Sequence, residues 1–274
     1  MAGTLYLVGT PIGNLGDLSP RCAETLRAAD FIAAEDTRVS LKLLNHLGLK
    51  KPLVSYYEHN QAESGQKILS RLLAGESCAL VTDAGMPAIS DPGQGLVDLC
   101  IGAGVPVLAV PGPSAVTTAV ALSGLPSGRF TFEGFLSTAK KSRFEHLDSL
   151  KAEKRTMVFY EAPHKLRATL RDMLSAWGDR ELALCRELTK LHEETVRTTL
   201  SAACAFYEEN EPRGEFVLVI RGAEEEEHGI TMEEALALVR ALQEGGSSLK
   251  DAVKRVAADH GLSKNELYDR AIRH

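Results

Sequence analysis

The chain has 274 residues, 44% of them hydrophobic and 25% charged, and a formal net charge of −6. That composition belongs to a folded protein with room for a sizeable core, in one large domain or two smaller ones, and it excludes a disordered, fibrous or collagen-like chain. The acidic balance excludes a uniformly basic nucleic-acid coat but leaves room for a local basic patch.

In chain order, β-like runs stand at Leu5–Val8, Phe31–Ala34, Ala79–Thr82, Val105–Val110, Thr156–Tyr160, Leu182–Cys185 and Phe216–Ile220. Several are apolar without alternation, as strands covered on both faces are. Helical periodicity fills the intervals: Ile68, Leu69, Leu72 and Leu73 share one face, and Gly75 is placed to end that helix. Alternation of this kind predicts an α/β protein with a largely parallel sheet. A boundary is expected near Arg129–Lys154, beyond the Gly/Pro-rich Ser123–Arg129 segment, so that residues 1–128 and 129–223 form two α/β domains. The stretch after it is basic and reads as amphipathic. Between residues 137 and 171 nine Lys/Arg, Lys140, Lys141 and Arg143 among them, stand against four Asp/Glu. A solvated helix face and an RNA-phosphate patch are equally open readings. The acidic run Glu224–Glu227 reads as a solvated tether, and residues 230–274 as an all-helical extension. Its last two helices meet at Gly261-Leu-Ser263, with Ser263 as N-cap, in a helix-turn-helix outline. A pair this small is expected to lean on a partner, either the second domain or RNA, and the tether favours RNA.

Several function classes drop out by their motifs. No stretch of about 18 apolar residues is uninterrupted, since Pro106, Pro111 and Pro113 break the most apolar one, so no membrane span is expected. The N-terminus has neither a basic n-region nor a long apolar h-region, so no secretion signal is expected either. Cys22, Cys78, Cys100, Cys185 and Cys204 are scattered singly, which points to free thiols in a reducing cytosol rather than to disulfides or zinc. Gly9-Thr-Pro-Ile-Gly13-Asn-Leu-Gly16 is not G-x-G-x-x-G, no G-K-[ST] occurs, His192-Glu193-Glu194 lacks the second histidine of H-E-x-x-H, and Val116 stands where a G-x-S-x-G elbow needs glycine.

What remains is a set of Gly/Pro-rich turns at expected strand ends: residues 9–15, 83–93, 110–115 and 161–165. Any one of them is most simply a tight βα connection, but three on one sheet edge within 115 residues make a small-molecule cleft an equal reading. Asp83 is placed either to accept from a ligand or to cap a turn, and Glu35–Arg38 either to meet a ligand or to start a helix with a surface ion pair. His59 and Asn60 follow the next β-like run on the same edge.

The loops carry a resemblance. Leu7-Val-Gly-Thr-Pro-Ile-Gly-Asn-Leu15, Ala34-Glu-Asp-Thr-Arg38, His59-Asn60, Asp83-Ala-Gly-Met-Pro-Ala-Ile-Ser-Asp-Pro-Gly93, Pro111-Gly-Pro-Ser-Ala115 and Phe159-Tyr-Glu-Ala-Pro-His164 occur in order, followed by Cys185–Lys190 and Arg213–Phe216. The chain closely resembles the ribosomal RNA small subunit methyltransferase I family of the tetrapyrrole methylase superfamily, over essentially its whole length. The resemblance implies two α/β domains of the class III methyltransferase type with a small helical extension, and S-adenosylmethionine as cofactor in the cleft between the domains. It implies methylation of the ribose 2′-oxygen of a decoding-centre cytidine, cytidine 1402, in 16S rRNA of the small ribosomal subunit. It places cofactor contacts at Pro11, at Asp83, Ala84, Gly85 and Ile89, at Ser114 and Ala115, at Ala162 and Pro163, and at Gly214. A cytoplasmic homodimer with no metal site is the accompanying expectation.

A ribose hydroxyl is a weak nucleophile that benefits from a base or from a cation beside the developing alkoxide. Asp36, His59, Glu161 and Lys190 are the candidates, with Arg38, Asn60, Lys140, Lys141 and Arg143 as candidate RNA contacts. Two other readings stand beside this one: a superfamily methyltransferase acting on a tetrapyrrole or a modified protein side chain, and a non-catalytic RNA binder of ribosome assembly.

Overall fold

The computed structural model describes residues 2–224 and 230–273. Its first half winds β1 (Leu5–Val8), α1 (Pro20–Ala28), β2 (Phe31–Ala34), α2 (Thr37–His46), β3 (Leu53–Ser55), α3 (Gln61–Leu73), β4 (Cys78–Val81), α4 (Gln94–Gly102) and β5 (Val107–Val110). The strands form a sheet of order β3-β2-β4-β1-β5 in which every pairing is parallel. Alternate residues of each strand serve opposite faces. Leu5, Phe31, Ala33, Cys78 and Leu80 pack with Ile68 and Leu72 of α3 and Leu96 and Cys100 of α4. Val8, Ile32, Ala34, Ala79 and Val81 pack with Cys22 and Leu26 of α1 and Leu44 of α2. Helices on both faces explain the unbroken apolar runs. They also set the site: α1 leaves β1 toward one face while α4 leaves its neighbour β4 toward the other, so their first loops part at the sheet's carboxyl edge, where such sheets bind ligands.

The second half runs α5 (Ala115–Ser123), β6 (Phe130–Phe135), α6 (Lys140–Ser149), β7 (Thr156–Glu161), α7 (Pro163–Trp177), β8 (Glu181–Arg186), β9 (Glu194–Thr199), α8 (Leu200–Glu209) and β10 (Phe216–Ile220). Its sheet has the order β6-β7-β10-β8-β9, and only β6 and β7 are parallel. A largely parallel arrangement therefore holds in the first half and fails in the second. There β8 and β9 form a hairpin, and β10 returns between β7 and β8 antiparallel to both. Residues of α6, α7 and α8 cover one face. The other face, through Val158, Ala183, Cys185, Val217 and Val219, packs on Val116, Ala119 and Val120 of α5. That helix lies on the N-terminal side of residue 128 yet roofs the sheet that follows it.

The stretch expected to be amphipathic is not. In α6 only Leu147 is buried, and Arg143 turns inward to Asp172 instead of lying on an open basic face.

Residues 230–273 form a separate compact unit: α9 (Met232–Glu244), α10 (Leu249–Asp259) and α11 (Lys264–Arg273). Thr231 and Glu234 close a capping box on α9, Ser248 caps α10, and Ser263 accepts from Glu266 N–H at the start of α11. Ala235, Leu236, Val239, Ala252, Val253, Val256, Ala257 and Leu267 make a core of its own. Three helices thus bury an apolar face that two would leave exposed. Of the acidic run, Glu225–Glu227 lie outside the described residues.

Candidate functional site

The loops after β1, β4 and β5 are locked together by backbone contacts. Thr10 N–H donates to Gly85 O at 2.9 Å, Gly85 N–H returns to Thr10 O at 3.1 Å, and the Thr10 hydroxyl donates to Thr82 O at 3.2 Å. Gly9 and Gly112 stand back to back: a Cβ on Gly112 would sit 2.7 Å from the Gly9 carbonyl. Side chains there would wedge the β1 and β5 loops apart, which accounts for glycine at both positions.

These loops form one wall of a cavity of about 470 Å³, within the roughly 300–1,000 Å³ of small-molecule sites. Ile12, Asp83, Ile89 and Asp91 line it from the first half, Tyr160, Lys190 and Phe216 from the second, and Ser114 and Ala115 where the two meet. Helices α5 and α7 both begin on it, and neither N-terminus has a side-chain cap. The first N–H groups of α5 are left to hydrogen-bond a ligand's acceptors, whereas α7 opens on Pro163, which has none, and its Lys165 N–H donates to Ala162 O at 3.0 Å. Among the described residues, positive φ at non-glycine positions occurs at Ala88, Ser90, Glu187 and Thr189. All four belong to the two loops that flank this cavity, where strained backbone is retained when it positions something.

One wall is acidic. Glu35, Asp83 and Asp91 face the cavity. Burial, then the Asp83 charge, pushes the Glu35 carboxyl upward; burial, then the Asp36 charge, pushes that of Asp83 upward; and Asp91 is pushed up to about 7 by burial, then Glu35, then Asp83. The Tyr160 hydroxyl rises to about 12 through burial and the nearby Asp91 charge. On the opposite wall Lys190 donates to Glu187 at 2.8 Å and Glu215 at 2.9 Å. Burial pulls its ammonium down, but these two bonds outweigh it and hold it above its usual value. Lys190 also crosses Gly13 so closely that a Cβ there would stand 2.4 Å from Lys190 Cγ. An aromatic edge completes the cavity. Register slips between Phe132 and Gly134, and Gly134 has a φ of +65°. This bulge brings Phe135 onto the face of Phe132 and Tyr160, where its ring lies 5.5 Å from that of Tyr160 and stays 53% exposed.

The structure brings Asp83, Ala84, Gly85, Ile89, Ser114, Ala115, Glu161, Ala162, Pro163 and Lys190 of the sequence-derived set to this cavity. The others lie off its lining. Pro11 is part of the locked β1 loop. Gly214 serves Glu187, whose Cγ would stand 2.4 Å from a Cβ at that position. Asp36 caps α2 and chelates Arg38, which holds its carboxyl down at about 2. Arg38 itself projects with 88% of its side chain exposed. His59 is exposed, edge-on to Tyr57. Asn60 is tied to Tyr57 N–H and Ser55 O. Lys140 and Lys141 are exposed, whereas Arg143 is bound by Asp172 and by the carbonyls of Ser137 and Thr138. Glu161 lines the cavity, but both its oxygens accept hydrogen bonds, from Ala162 N–H at 2.8 Å and the Thr169 hydroxyl at 2.5 Å.

Asp91, Phe135 and Tyr160 are the residues that sequence reasoning passed over. For Phe135 a signal existed: aromatic spacing of 130, 132, 135 with Gly134 marks a bulge.

A family model for tetrapyrrole (corrin/porphyrin) methylases matches residues 4–204, and one for the RsmI C-terminal HTH domain matches 231–274. A protein of Synechocystis sp. named ribosomal RNA small subunit methyltransferase I is 47% identical over 98% of both chains. One of the same name from Thermotoga maritima is 50% identical, with its full length aligned to 81% of this chain. Among solved structures, diphthine synthase superposes with a TM-score of 0.64 at 15% identity, over 80% of this chain and 90% of that one. That likeness is one of fold.

Proposed function

We propose, from the premise that this chain belongs to the ribosomal RNA small subunit methyltransferase I family of tetrapyrrole methylases, that it methylates the ribose 2′-oxygen of cytidine 1402 in 16S rRNA of the small subunit. The class of activity, methylation of ribosomal RNA with S-adenosylmethionine as donor, goes with the family. The observation that carries the reading furthest is the cavity's division into an acidic wall, an apolar aromatic edge and the uncapped start of α5.

S-adenosylmethionine has complementary parts. Glu35 and Asp83 suit its cationic groups, Ile12, Ile89, Leu188 and Val217 its adenine, and the N–H groups opening α5 its carboxylate and ring nitrogens. When bound, the donor supplies a methyl group already activated by a sulfonium. The protein's part is to align the acceptor, exclude water and take up the hydroxyl proton. The locked loops around Gly9, Gly85 and Gly112 provide rigidity for that alignment. Arg38, exposed beside Asp36, and the exposed Lys140 and Lys141 are the phosphate contacts of this reading.

The finer organisation belongs to the same proposal: domains at 1–128, 129–223 and 230–274, a cytoplasmic homodimer, and the helical unit as a clamp on subunit RNA. No helix among the described residues is long and apolar enough to cross a membrane.

Methyl transfer from labelled donor to small subunits, free 16S rRNA and uroporphyrinogen tests the reading. Label confined to RNA, and greatest on the subunit, is expected; label on the tetrapyrrole overturns it. A chain ended at Ala223 tests the clamp: donor affinity should persist while subunit methylation falls about tenfold, a loss on the order of 1.4 kcal/mol. Full-rate methylation would remove the clamp role.

A further inference from the structure

The cavity holds five carboxylates, and four are engaged. Glu161 accepts two hydrogen bonds, Glu215 takes Lys190, Asp83 accepts Asp36 N–H at 3.2 Å, and Glu35 accepts Asp83 N–H at 3.5 Å. Among the described residues, Asp91 alone of the five has neither a hydrogen bond nor an ion pair. It is half-buried on a loop that is held rather than loose. Ala88 and Ser90 have left-handed backbone, and Gly93, with a φ of +157°, approaches Ala88 so closely that a Cβ would come within 2.9 Å. A carboxylate held at a cavity wall without a protein partner is open to a ligand's donor.

We propose that Asp91 is the catalytic residue that takes the proton from the attacking ribose hydroxyl. The inference rests on the ribose-methylation reading above. In the step, the ribose O–H bond breaks and its proton passes to an Asp91 oxygen. The ribose oxygen forms its bond to the methyl carbon as the carbon–sulfur bond breaks, and that electron pair stays on sulfur, which becomes a neutral thioether. Asp91 then returns the proton to solvent.

The other candidates are placed less well for this role. Asp36 is held near 2 by Arg38, too weak a base, and Lys190 is charged and doubly bound. Asp91 is faced by Glu35 from the end of β2, Asp83 from the end of β4 and Tyr160 from β7, and Lys190, which lines the same cavity, is bonded to Glu187 and Glu215. A carboxyl poised near 7 is the most effective general base at neutral pH. Among the described residues, no three His, Cys, Asp or Glu side chains are grouped to hold a metal ion.

The test uses the full-length protein and its Asp91→Asn variant, with two readouts: calorimetric affinity for S-adenosylmethionine, and the single-turnover rate of subunit methylation from pH 5.5 to 9. The wild-type rate should climb tenfold per pH unit and level off above an inflection near 7. The variant should bind the donor within about threefold of wild type, lose about 10²–10³ in rate and lose the inflection. A variant rate within threefold of wild type, an inflection that persists, or a donor affinity that falls as far as the rate would each overturn the assignment. Nucleoside analysis separates the two levels of the reading. If the wild type makes no 2′-O-methylcytidine, the ribose reading falls and this one with it; if it does and the variant matches it, only the role of Asp91 falls.

Discussion

The two walls of the cavity handle charge in opposite ways. On the wall from the second half, Lys190 is bound by Glu187 and Glu215, and Glu187 also accepts Glu215 N–H at 2.9 Å. On the wall from the first half, the Glu35 and Asp83 charges push the Asp91 carboxyl up, and among the described residues no cation is bonded to these three. Paired charges stabilise the loop that carries them, while unpaired charges of one sign destabilise the fold and are kept for what they meet. In the proposal for Asp91, the first wall carries the chemistry and the second holds it in place.

Filling the seam between the walls should have the largest effect. Ala115→Trp places a large ring where α5 opens on the cavity. Donor affinity should drop by more than about 100-fold, on the order of 3 kcal/mol, with the melting temperature little changed. A folded variant that binds donor normally would move the site elsewhere.

On the paired wall, Lys190→Met should destabilise the protein. Removing the ammonium leaves Glu187 half-buried without its strongest partner. A loss of about 1–3 kcal/mol in urea unfolding is expected, since a deserted partner costs more than a pair contributes. Unchanged stability would show that this wall is no more structural than the other.

On the unpaired wall the sign reverses. The Asp91 carboxyl lies higher in the folded protein, about 7, than in the unfolded chain, 3.8. The folded state therefore binds the extra proton between those values, and stability falls as pH rises through the window, reaching its full penalty above 7. Asp91→Asn should remove that penalty, leaving the variant more stable than wild type at pH 8 by about 1–2 kcal/mol after allowance for solvent access, and no different at pH 4. A variant less stable at pH 8 would mean that Asp91 has a structural partner.

The smallest effect belongs to the exposed lysines of α6. Lys140→Ala with Lys141→Ala should weaken subunit binding a few-fold and flatten its dependence on salt by roughly one log–log unit per lost phosphate contact. An unaltered slope removes α6 from the RNA surface.

Much of the fold was legible because its signals are local. Leu5–Val8, Phe31–Ala34 and Phe216–Ile220 coincide with strands, their apolar runs being buried on both faces. β9 escaped because Glu194–Thr199 is an edge strand of polar residues, and β6 because its bulge breaks the alternation. Strand direction in the second sheet was illegible, since nothing in the apolar run of β10 says which neighbours it will enter between. The site divides in the same way. Glycine turns at strand ends announced the loops. The state of each side chain was not announced: that Asp36 is chelated, that Arg143 is bound inward and that Asp91 is left free depend on contacts between residues far apart in sequence.

The most direct test of the account is the identity of the methylated nucleoside. Small subunits treated with the protein and labelled S-adenosylmethionine, digested to nucleosides and resolved by mass spectrometry, should carry the label in 2′-O-methylcytidine, with the labelled RNA fragment spanning cytidine 1402. Label on a base carbon or nitrogen, or in ribosomal protein, would contradict it.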